Sequence, residues 1–353
     1  MGTVFTIVSR APIARRLGLL ALWTASVAAL GSCGDDGKSN TTSGSGASGT
    51  AAPTLRAVKL QLNWVAEPEF GGFFAAQQRG LFESEGIKLE LVQGGPDVPA
   101  PQLVASGKVD LAVIAGTQAI EINEQGGQLV ALYAVYQSNP MGVMVHASSP
   151  YNTLMELWES DTTLSIAEGL ADYKWLTAKF PGGKRTIVPY SSNLAQFAAQ
   201  PNLASQCFVP SEPIALELQG IKTRVFSMSE AGFDPYNCVV VTTRSYFDAN
   251  RDLCRRFVRA AAGGWRAYLN DPAPTNQVMA KLNPAMSVEA MALGAKAQRS
   301  LIETEETKRI GLGGMRYARW EEMGSQLLEL GLIKKKPDAT TLFEWDTESG
   351  SAR

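Results

Sequence analysis

The chain has 353 residues, and its 32 basic and 34 acidic side chains leave a formal net charge of −2. A body so close to neutral lacks the basic face that nucleic-acid binding requires, so we expect no nucleic-acid partner. His146 is the single histidine and no Cys-x-x-Cys pair occurs, which argues against a metal site, a bound cofactor and a histidine-dependent catalytic triad.

The start of the chain has the pattern of a secretory leader. Arg10, Arg15 and Arg16 supply positive charge, and residues 17–30 form an apolar segment that is too short to span a bilayer. This segment ends in Leu-Gly-Ser-Cys, which resembles the lipobox of bacterial lipoproteins, where cleavage leaves the cysteine as a lipid-modified N-terminus. An ordinary leader with an incidental cysteine is the alternative. We therefore expect a leader over residues 1–32 and lipidation at Cys33, with the protein held on a bacterial membrane and facing the periplasm or the cell exterior.

A flexible tether is predicted for residues 33–53, because this stretch is rich in Gly, Ser and Thr and has almost nothing to bury. Removal of the leader takes away three arginines and no carboxylate, so the formal charge falls from −2 to −5. The rest of the chain, roughly 300 residues, is long enough for two lobes. We expect residues 54–143 and 240–353 to form lobe 1 and residues 144–239 to form lobe 2.

Strand and helix patterns alternate through the first part of the globular region. The intervening helices are each closed by glycine, and units of about 20–30 residues indicate an α/β domain with a mainly parallel sheet. The predicted strands are residues 58–62, 87–92, 111–114 and 129–136, and the predicted helices are residues 73–79, 101–106 and 118–124.

A second α/β run follows, and then mostly helical sequence. A lobe that is interrupted and later resumed requires two crossovers, and we assign these to the strands at residues 142–146 and 238–242. The other predicted strands are residues 163–166, 186–189 and 206–209, and the later helices are residues 251–269, 287–300 and 320–330. The three cysteines beyond Cys33 are Cys207, Cys238 and Cys254. We expect three buried free thiols, with one disulfide as the alternative.

Short motifs spread over nearly the whole mature chain carry a family resemblance. They are Leu-Asn-Trp at 62–64, Glu-Pro-Glu-Phe-Gly-Gly-Phe at 67–73, Gly-Leu-Phe at 80–82, Gly-Gly-Pro-Asp-Val at 94–98, Ala-Ser-Gly-Lys-Val-Asp at 105–110, Ser-Glu-Pro at 211–213 and Gly-Trp-Arg-Ala-Tyr-Leu at 264–269. In this order they resemble the solute-binding proteins of ABC importers for thiamine pyrimidine precursors, riboflavin, taurine, alkanesulfonates and nitrate.

The resemblance implies a type II periplasmic-binding-protein fold, with two lobes, two crossover strands and a central cleft for a small molecule. It also implies a monomer that delivers its ligand to a permease and an ATPase without catalysing a reaction. The segment at residues 63–72 is more similar to the thiamine-precursor and riboflavin branch than to the sulfonate branch.

Three candidate binding residues lie just after the first predicted strand, at the edge where open α/β sheets bind ligands. Trp64 offers an aromatic platform for a flat heterocycle, although a core tryptophan is the alternative. Glu69 and Phe70 stand where related thiamine-precursor binders carry Asn and His-like residues. Glu69 can accept hydrogen bonds from a ring N–H or an amine, and a solvated loop charge is the alternative.

Further candidates in lobe 1 follow the next strands. Gly95 and Asp97 belong to a glycine turn in which the backbone can approach a ligand, with a simple turn as the alternative. Thr117 is placed to cap a helix or to touch ligand, and Gln137 ends the fourth strand.

Four candidates come from the second half of the chain. Tyr190 and Asn193 follow the strand at residues 186–189 and offer an aromatic ring and a polar side chain. Glu212 matches the position at which the resembled family places a ligand-facing carboxylate, with helix capping as its alternative role. Tyr236 comes just before the return crossover.

Three functions compete on this reading. We expect a binding subunit for a flat, weakly charged pyrimidine-like or flavin-like metabolite, and an alkanesulfonate or taurine-like anion is the alternative ligand. A pyrimidine synthase on the same fold is disfavoured, since the family's enzyme uses a histidine and a cysteine-rich motif. A sensory binding protein would have the same sequence features as an importer subunit, so the two stay open.

Overall fold

A computed structural model describes residues 55–191 and 193–344. The predicted leader, the tether and Cys33 lie outside the described residues. Within the described residues, ten strands occur in chain order: β1 (Arg56–Gln61), β2 (Ile87–Val92), β3 (Leu111–Ile114), β4 (Leu129–Tyr136), β5 (Met141–His146), β6 (Thr163–Ile166), β7 (Thr186–Pro189), β8 (Leu203–Phe208), β9 (Thr223–Ser227) and β10 (Asn237–Thr243).

Helices account for most of the remaining described chain. They are α1 (Gly71–Gln78), α2 (Leu81–Ser84), α3 (Ala100–Ala105), α4 (Gly116–Glu124), α5 (Leu154–Trp158), α6 (Ala171–Lys179), α7 (Leu194–Ala199), α8 (Glu212–Glu217), α9 (Met228–Ala231), α10 (Arg244–Ala249), α11 (Arg251–Asn270), α12 (Ala273–Leu282), α13 (Val288–Ala297), α14 (Arg299–Ile302), α15 (Glu305–Ile310) and α16 (Tyr317–Glu329), with 3₁₀ helices at Pro68–Phe70 and Ala339–Thr341. None of the helices in this part of the chain is both long and apolar enough to cross a bilayer.

The strands form two five-stranded sheets. Sheet A has the order β2-β1-β3-β10-β4, in which β1 is parallel to β2 and β3 while β10 is antiparallel to β3 and β4. Sheet B has the order β7-β6-β8-β5-β9, in which β6 is parallel to β7 and β8 while β5 is antiparallel to β8 and β9. The predicted α/β class with mainly parallel runs is confirmed.

The chain passes between the sheets twice. It leaves sheet A after β4 and enters sheet B at β5, and it returns to sheet A at β10 after α9. The two strands that we assigned to the crossovers are therefore the first strand of sheet B and the returning strand of sheet A, and the chain crosses immediately before each of them. We refer to sheet A with its helices as lobe 1 and to sheet B with its helices as lobe 2; the lobe boundaries given by residue number stay a prediction.

Apolar packing fills both lobes and continues between them. One cluster of buried side chains, which includes Phe73 and Trp265, joins sheet A to α1 and α11. These two helices approach so closely that a Cβ at Gly264 would lie 2.2 Å from the carbonyl oxygen of Gly72, so glycine is required there. A second cluster runs from Ile114 of sheet A to Leu164 of sheet B, so the lobes share part of their core.

Cys207, Cys238 and Cys254 are free and buried, as expected from the sequence.

Candidate functional site

The loop after β1 is held in shape by its own backbone and by the loop after β2. Pro68 occupies the first position of the 3₁₀ helix, where its missing N–H costs nothing, and the Phe70 N–H donates to the Glu67 carbonyl oxygen at 2.9 Å. The Gly94 N–H donates to the Trp64 carbonyl oxygen at 2.9 Å, and a Cβ at Gly94 would lie 2.3 Å from the Leu62 carbonyl oxygen. This packing fixes the loop at the carboxyl edge of sheet A.

The loop after β8 meets it from lobe 2. Ser211 Oγ donates to Glu67 Oε2 at 2.8 Å, a hydrogen bond between residues 144 positions apart in the chain. A second contact between the lobes joins the ring of Tyr136, at the end of β4, to the ring of Phe208, at the end of β8, edge to face at a centroid distance of 5.3 Å. The carboxyl ends of the two sheets therefore face each other here, and we call this region the cleft.

Glu212 is held at the start of α8 by two hydrogen bonds from lobe 2. The Tyr190 hydroxyl donates to Glu212 Oε1 at 2.7 Å, and the Phe208 N–H donates to Glu212 Oε2 at 2.8 Å. Ser211 stands at the N-cap of this helix but makes no capping hydrogen bond with its side chain, because its hydroxyl is directed to Glu67.

Glu67, Glu69 and Glu212 interact electrostatically, and we call these three the cleft cluster. Burial raises the pKa of Glu67 to about 7; repulsion by Glu212 adds to this, and hydrogen bonds from Ser211, Trp64 and Asn283 oppose it. Burial and then repulsion by the other two carboxylates raise the pKa of Glu69 well above its usual value. Burial also raises the pKa of Glu212, and its hydrogen bonds from Tyr190 and Phe208 oppose the shift.

Four of the residues predicted from the sequence converge on this region: Trp64, Glu69, Tyr190 and Glu212. Trp64 is half-buried and hydrogen-bonded to Glu67, and Tyr190 is half-buried and hydrogen-bonded to Glu212. Each lobe thus brings one aromatic side chain that is linked to one carboxylate.

Other predicted residues in lobe 1 have other surroundings. Phe70 is fully buried in the apolar core. Gly95 is buried and Asp97 is exposed in the loop after β2, and Thr117 is buried in the first turn of α4. Apart from the Phe70 N–H bond to the Glu67 carbonyl oxygen, no hydrogen bond joins these four residues to the cleft cluster in the described part of the chain.

Three predicted residues take structural positions instead. Asn193 is exposed, and its Oδ1 accepts from the Ala195 N–H at 3.0 Å as the N-cap of α7. Gln137 is buried, and its Nε2 donates to the carbonyl oxygens of Ala134 and Gly314 at 3.1 and 3.0 Å. Tyr236 is buried against Trp320, where its hydroxyl accepts from the Arg316 N–H at 3.0 Å. Although each of these residues stands near the end of a strand, its side chain caps a helix or packs in the core.

Three contributors to the site were absent from the predicted set. Glu67 stands in the same Glu-Pro-Glu motif as Glu69, and Ser211 precedes Glu212, so both had a local signal. Asn283 had no local signal in the sequence. It lies at the end of α12 and donates to the Ala66 carbonyl oxygen at 3.2 Å across 217 residues of chain.

Two cavities lie away from the cleft. One of about 330 Å³ is lined by residues that include Asp234 and Arg319, and one of about 480 Å³ in lobe 2 is lined by residues that include Tyr151, Asp161 and Asn202. In the described residues, no cluster of His, Cys, Asp and Glu has the arrangement of a metal site.

Sequence comparison gives a family and more distant relatives. The sequence model of the family described as NMT1/THI5 like matches residues 67–275, which is more than half of the chain. The formylaminopyrimidine-binding protein of Halalkalibacterium halodurans is 22% identical over 301 residues, which cover 77% of this chain and 85% of that protein. The 4-amino-5-hydroxymethyl-2-methylpyrimidine phosphate synthase of Legionella pneumophila is 26% identical over 100 residues, 28% of this chain.

The aligned segments in the first two curated relatives span only 38% and 32% of those proteins, and the second of the two is the Legionella enzyme. Among solved structures, the periplasmic aliphatic sulphonate binding protein of Escherichia coli superposes with a TM-score of 0.63 at 16% identity, covering 84% of this chain and 94% of that one. This likeness confirms the predicted periplasmic-binding-protein fold.

Proposed function

This chain belongs to the NMT1/THI5-like family, and from that premise we propose that it is the solute-binding subunit of an ABC importer. Its ligand on this proposal is a small flat heterocycle of the pyrimidine-precursor or riboflavin type. The observation that carries the proposal is the cleft, where Trp64 and Glu67 from lobe 1 meet Tyr190 and Glu212 from lobe 2.

The aromatic side chains give the first reason for a flat ligand. Trp64 and Tyr190 bury part of their rings and leave part accessible, and stacking on such a ring contributes about 0.5–1.5 kcal/mol beyond the burial of area. The carboxyl groups give the second reason, since their oxygens accept hydrogen bonds from ring N–H and amino groups. The name of the Halalkalibacterium relative is consistent with a ligand of this class.

Ligand-driven closure of the lobes is the mechanism we propose. A ligand that contacts both lobes binds the closed form more tightly than the open form, and it shifts the equilibrium by that difference in affinity. The permease and ATPase then receive the closed, loaded protein. A receptor in place of the permease would use the same closure, and neighbouring transporter genes would distinguish the two partners.

Catalysis is not part of this proposal, although the Legionella relative carries a synthase name. His146, the single histidine, lies in lobe 2 with its ring stacked on Phe197 at 4.4 Å and its Nε2 2.8 Å from the Phe197 carbonyl oxygen. It is therefore engaged in packing α7. A bound ligand recovered with unchanged mass after prolonged incubation supports a binding protein, and a converted ligand contradicts it.

The decisive experiment is a binding screen with the purified protein. Thermal shift followed by calorimetry against formylaminopyrimidine, other thiamine precursors, riboflavin, taurine and alkanesulfonates should give saturable binding to a heterocycle. Binding to sulfonates alone would overturn the ligand class, and no binding to any small solute would overturn the binding-protein function.

We also propose that the mature protein is lipid-anchored through Cys33. The wild-type protein should fractionate with membranes and give an N-terminal peptide with the mass of an acylated cysteine. Cys33→Ala should release the protein and remove the added mass. Unchanged membrane association and peptide mass in Cys33→Ala would contradict the anchor.

A further inference from the structure

Helix α13 of lobe 1 approaches lobe 2 at a buried glycine. A Cβ at Gly294, in the interior of this helix, would lie 2.7 Å from the carbonyl oxygen of Pro210, in the loop after β8. It would also lie 3.2 Å from Cγ of Pro68, in the loop after β1. Attractive contacts between a carbon and an oxygen keep these atoms about 3.3–3.6 Å apart. The helix therefore reaches this position only because residue 294 has no side chain.

The helix is held in lobe 1 by its own contacts. One turn after Gly294, the buried Gln298 accepts a hydrogen bond from the Tyr136 hydroxyl at 2.6 Å, and its Nε2 donates to the Pro68 carbonyl oxygen at 2.9 Å. Met291, on the same helix, packs within the apolar cluster of lobe 1. Because these partners belong to lobe 1, α13 moves with lobe 1 when the two lobes separate.

The carbonyl oxygen that faces Gly294 belongs to lobe 2. Pro210 lies between β8 and α8, and Phe208, two residues before it, packs against the apolar cluster of lobe 1. The same short loop carries Ser211, which donates to Glu67. The contact at Gly294 is thus one of several that join the lobes. It differs from the others because backbone meets backbone there, so no side chain can move aside to relieve a clash.

We propose that Gly294 is a positioning residue that sets the equilibrium between the open and the closed lobes. This inference rests on the proposed function and deepens it, because ligand-driven closure requires a closed form that is accessible in free energy. A side chain at residue 294 meets the Pro210 carbonyl oxygen unless the lobes move apart, so it destabilises the closed form and not the open form. Apparent affinity falls with the population of the binding-competent form, so the substitution weakens binding whatever the ligand is.

Alanine at this position distinguishes lobe closure from ordinary packing. Glycine in a helix interior is less favourable than alanine, so Gly294→Ala should keep the resistance of the protein to urea close to that of the wild type. The same variant should lower the ratio of closed to open molecules at least about tenfold, because overpacking forces the two lobes apart. A glycine that serves only to pack one lobe would show the reverse, with lower resistance to urea and an unchanged ratio.

Energy transfer between fluorophores on the two lobes measures this ratio in the full-length protein in detergent, without ligand. Cysteines introduced at the exposed positions Lys108 of lobe 1 and Glu168 of lobe 2 carry the fluorophores, since the cysteines of the described residues are buried. A sample without the introduced cysteines corrects for label elsewhere. Single-molecule recordings give the closed fraction of the wild type and of each variant. Calorimetry with formylaminopyrimidine gives the affinity, which should fall by the same factor as the ratio of closed to open molecules.

Gly324→Ala is the matched control. Gly324 is buried in α16, and a Cβ there would lie 2.9 Å from Cδ of Pro337, so the clash arises between two parts of lobe 1. This variant should lower resistance to urea and leave energy transfer unchanged. Gly294→Ser carries the same Cβ as Gly294→Ala and should reproduce its result.

The outcomes separate this inference from the proposed function. An unchanged closed fraction in both Gly294 variants overturns the role of Gly294, and so does a loss of resistance to urea as large as that of Gly324→Ala. If formylaminopyrimidine does not bind the wild type, the proposed ligand class loses its support, whereas energy transfer in the ligand-free protein still decides whether Gly294 sets the equilibrium.

Discussion

The chain passes between the two sheets at a region that we call the hinge, and the two lobes meet again at the cleft. The polar side chains of these two regions differ in whether the protein supplies their hydrogen-bond partners. At the hinge, Asn139 is 1% exposed, and its Nδ2 donates to Asp172 Oδ1 at 2.7 Å and to the Phe233 carbonyl oxygen at 3.1 Å. The Asn139 N–H and the Ser138 hydroxyl both donate to Asp234 Oδ1, at 2.6 and 3.0 Å. At the cleft, Glu67 has one donor from the opposite lobe and Glu69 has none among the described residues.

The hinge is therefore a permanent connection between the lobes, whereas the connection at the cleft depends on ligand. Each buried polar group at the hinge has its partner within the chain, so the hinge is complete without ligand. In the cleft, Glu69 accepts no hydrogen bond from a described residue and Asn63 Oδ1 is buried without a partner there, so the closed form gains from a molecule that supplies donors. Substitutions in the two regions, and a change of pH, test this contrast.

Asn139→Ala should cause the largest loss, because it removes the donor to Asp172 and leaves a carboxyl group that is 7% exposed without that hydrogen bond. We expect the free energy of unfolding to fall by about 3–4 kcal/mol, as when a buried charged group loses its partner. Urea denaturation followed by circular dichroism measures this. Asn193→Ala, at an exposed helix cap, is the control and should cost only about 1 kcal/mol. Equal losses in the two variants would show that the hinge network has no special weight.

Trp64→Ala should act on the ligand and not on the fold. Removal of the ring should weaken ligand binding by about 1–3 kcal/mol, because a stacking surface in a binding site is lost. Calorimetry measures the affinity, with unchanged circular dichroism as the condition for interpreting it. Trp320→Phe is the comparison, because the Trp320 ring is fully buried beside Tyr236; this variant should lower stability and leave affinity unchanged. Wild-type affinity in Trp64→Ala would place the ligand elsewhere.

The empty protein should lose stability as the pH rises towards 7. Folding raises the pKa of Glu67 from 4.5 to about 7, so between these values the folded state binds more protons than the unfolded state, and stability falls with increasing pH. Glu69 and Glu212 act in the same direction, because their pKa values are also raised. We expect the Tm without ligand to decrease by about 3–5 °C across this interval. Glu67→Gln should reduce the slope, whereas Glu217→Gln should not, and an unchanged slope in Glu67→Gln would contradict the assignment.

Ser211→Ala should have a smaller effect than the two substitutions and the pH change described above. It removes the hydroxyl that joins the two lobes at Glu67, and one such hydrogen bond to a partly buried carboxyl group is worth about 1 kcal/mol. The loss should appear as a larger open fraction without ligand, measured by small-angle scattering or by fluorophores on the two lobes, with no change in urea denaturation. Ser211→Thr keeps the hydroxyl and should restore closure. A loss of global stability in Ser211→Ala would mean that this contact is part of the permanent connection.

Much of the fold could be predicted from local pattern. The strands at residues 87–92, 111–114, 129–136, 163–166 and 186–189 have the bounds expected from the sequence. Alternation or a continuous apolar run identifies them, and glycine or polar residues end them, so the signal lies within each segment. β9 (Thr223–Ser227) was missed because it is an edge strand of sheet B, and four of its five residues are only half-buried, so its apolar pattern is weak.

The site was predictable only in part. Trp64 and Tyr190 were predicted because the carboxyl edge of a parallel sheet follows from strand order, and Glu212 was predicted from the family resemblance. These residues and Glu69 lie together at the cleft. Gln137 and Tyr236 also stand next to strand ends, but the structure directs them into core packing beside the hinge. The position of a residue next to a strand end does not show whether its side chain points into the cleft or into the core, because both directions depend on how the second lobe packs.

Local sequence was enough for most of the strands, the α/β class and the family resemblance, since periodicity, glycine stops and short motifs are local properties of the chain. The groups that share the cleft come together through long-range packing. Glu67 and Ser211 are 144 residues apart, and Asn283 reaches the loop after β1 across 217 residues. Such contacts depend on sheet register and on the packing of one lobe against the other, and no local pattern encodes them. For the same reason, the repulsion that helps to raise the pKa values of the cleft cluster follows only from the packing of the two lobes against each other.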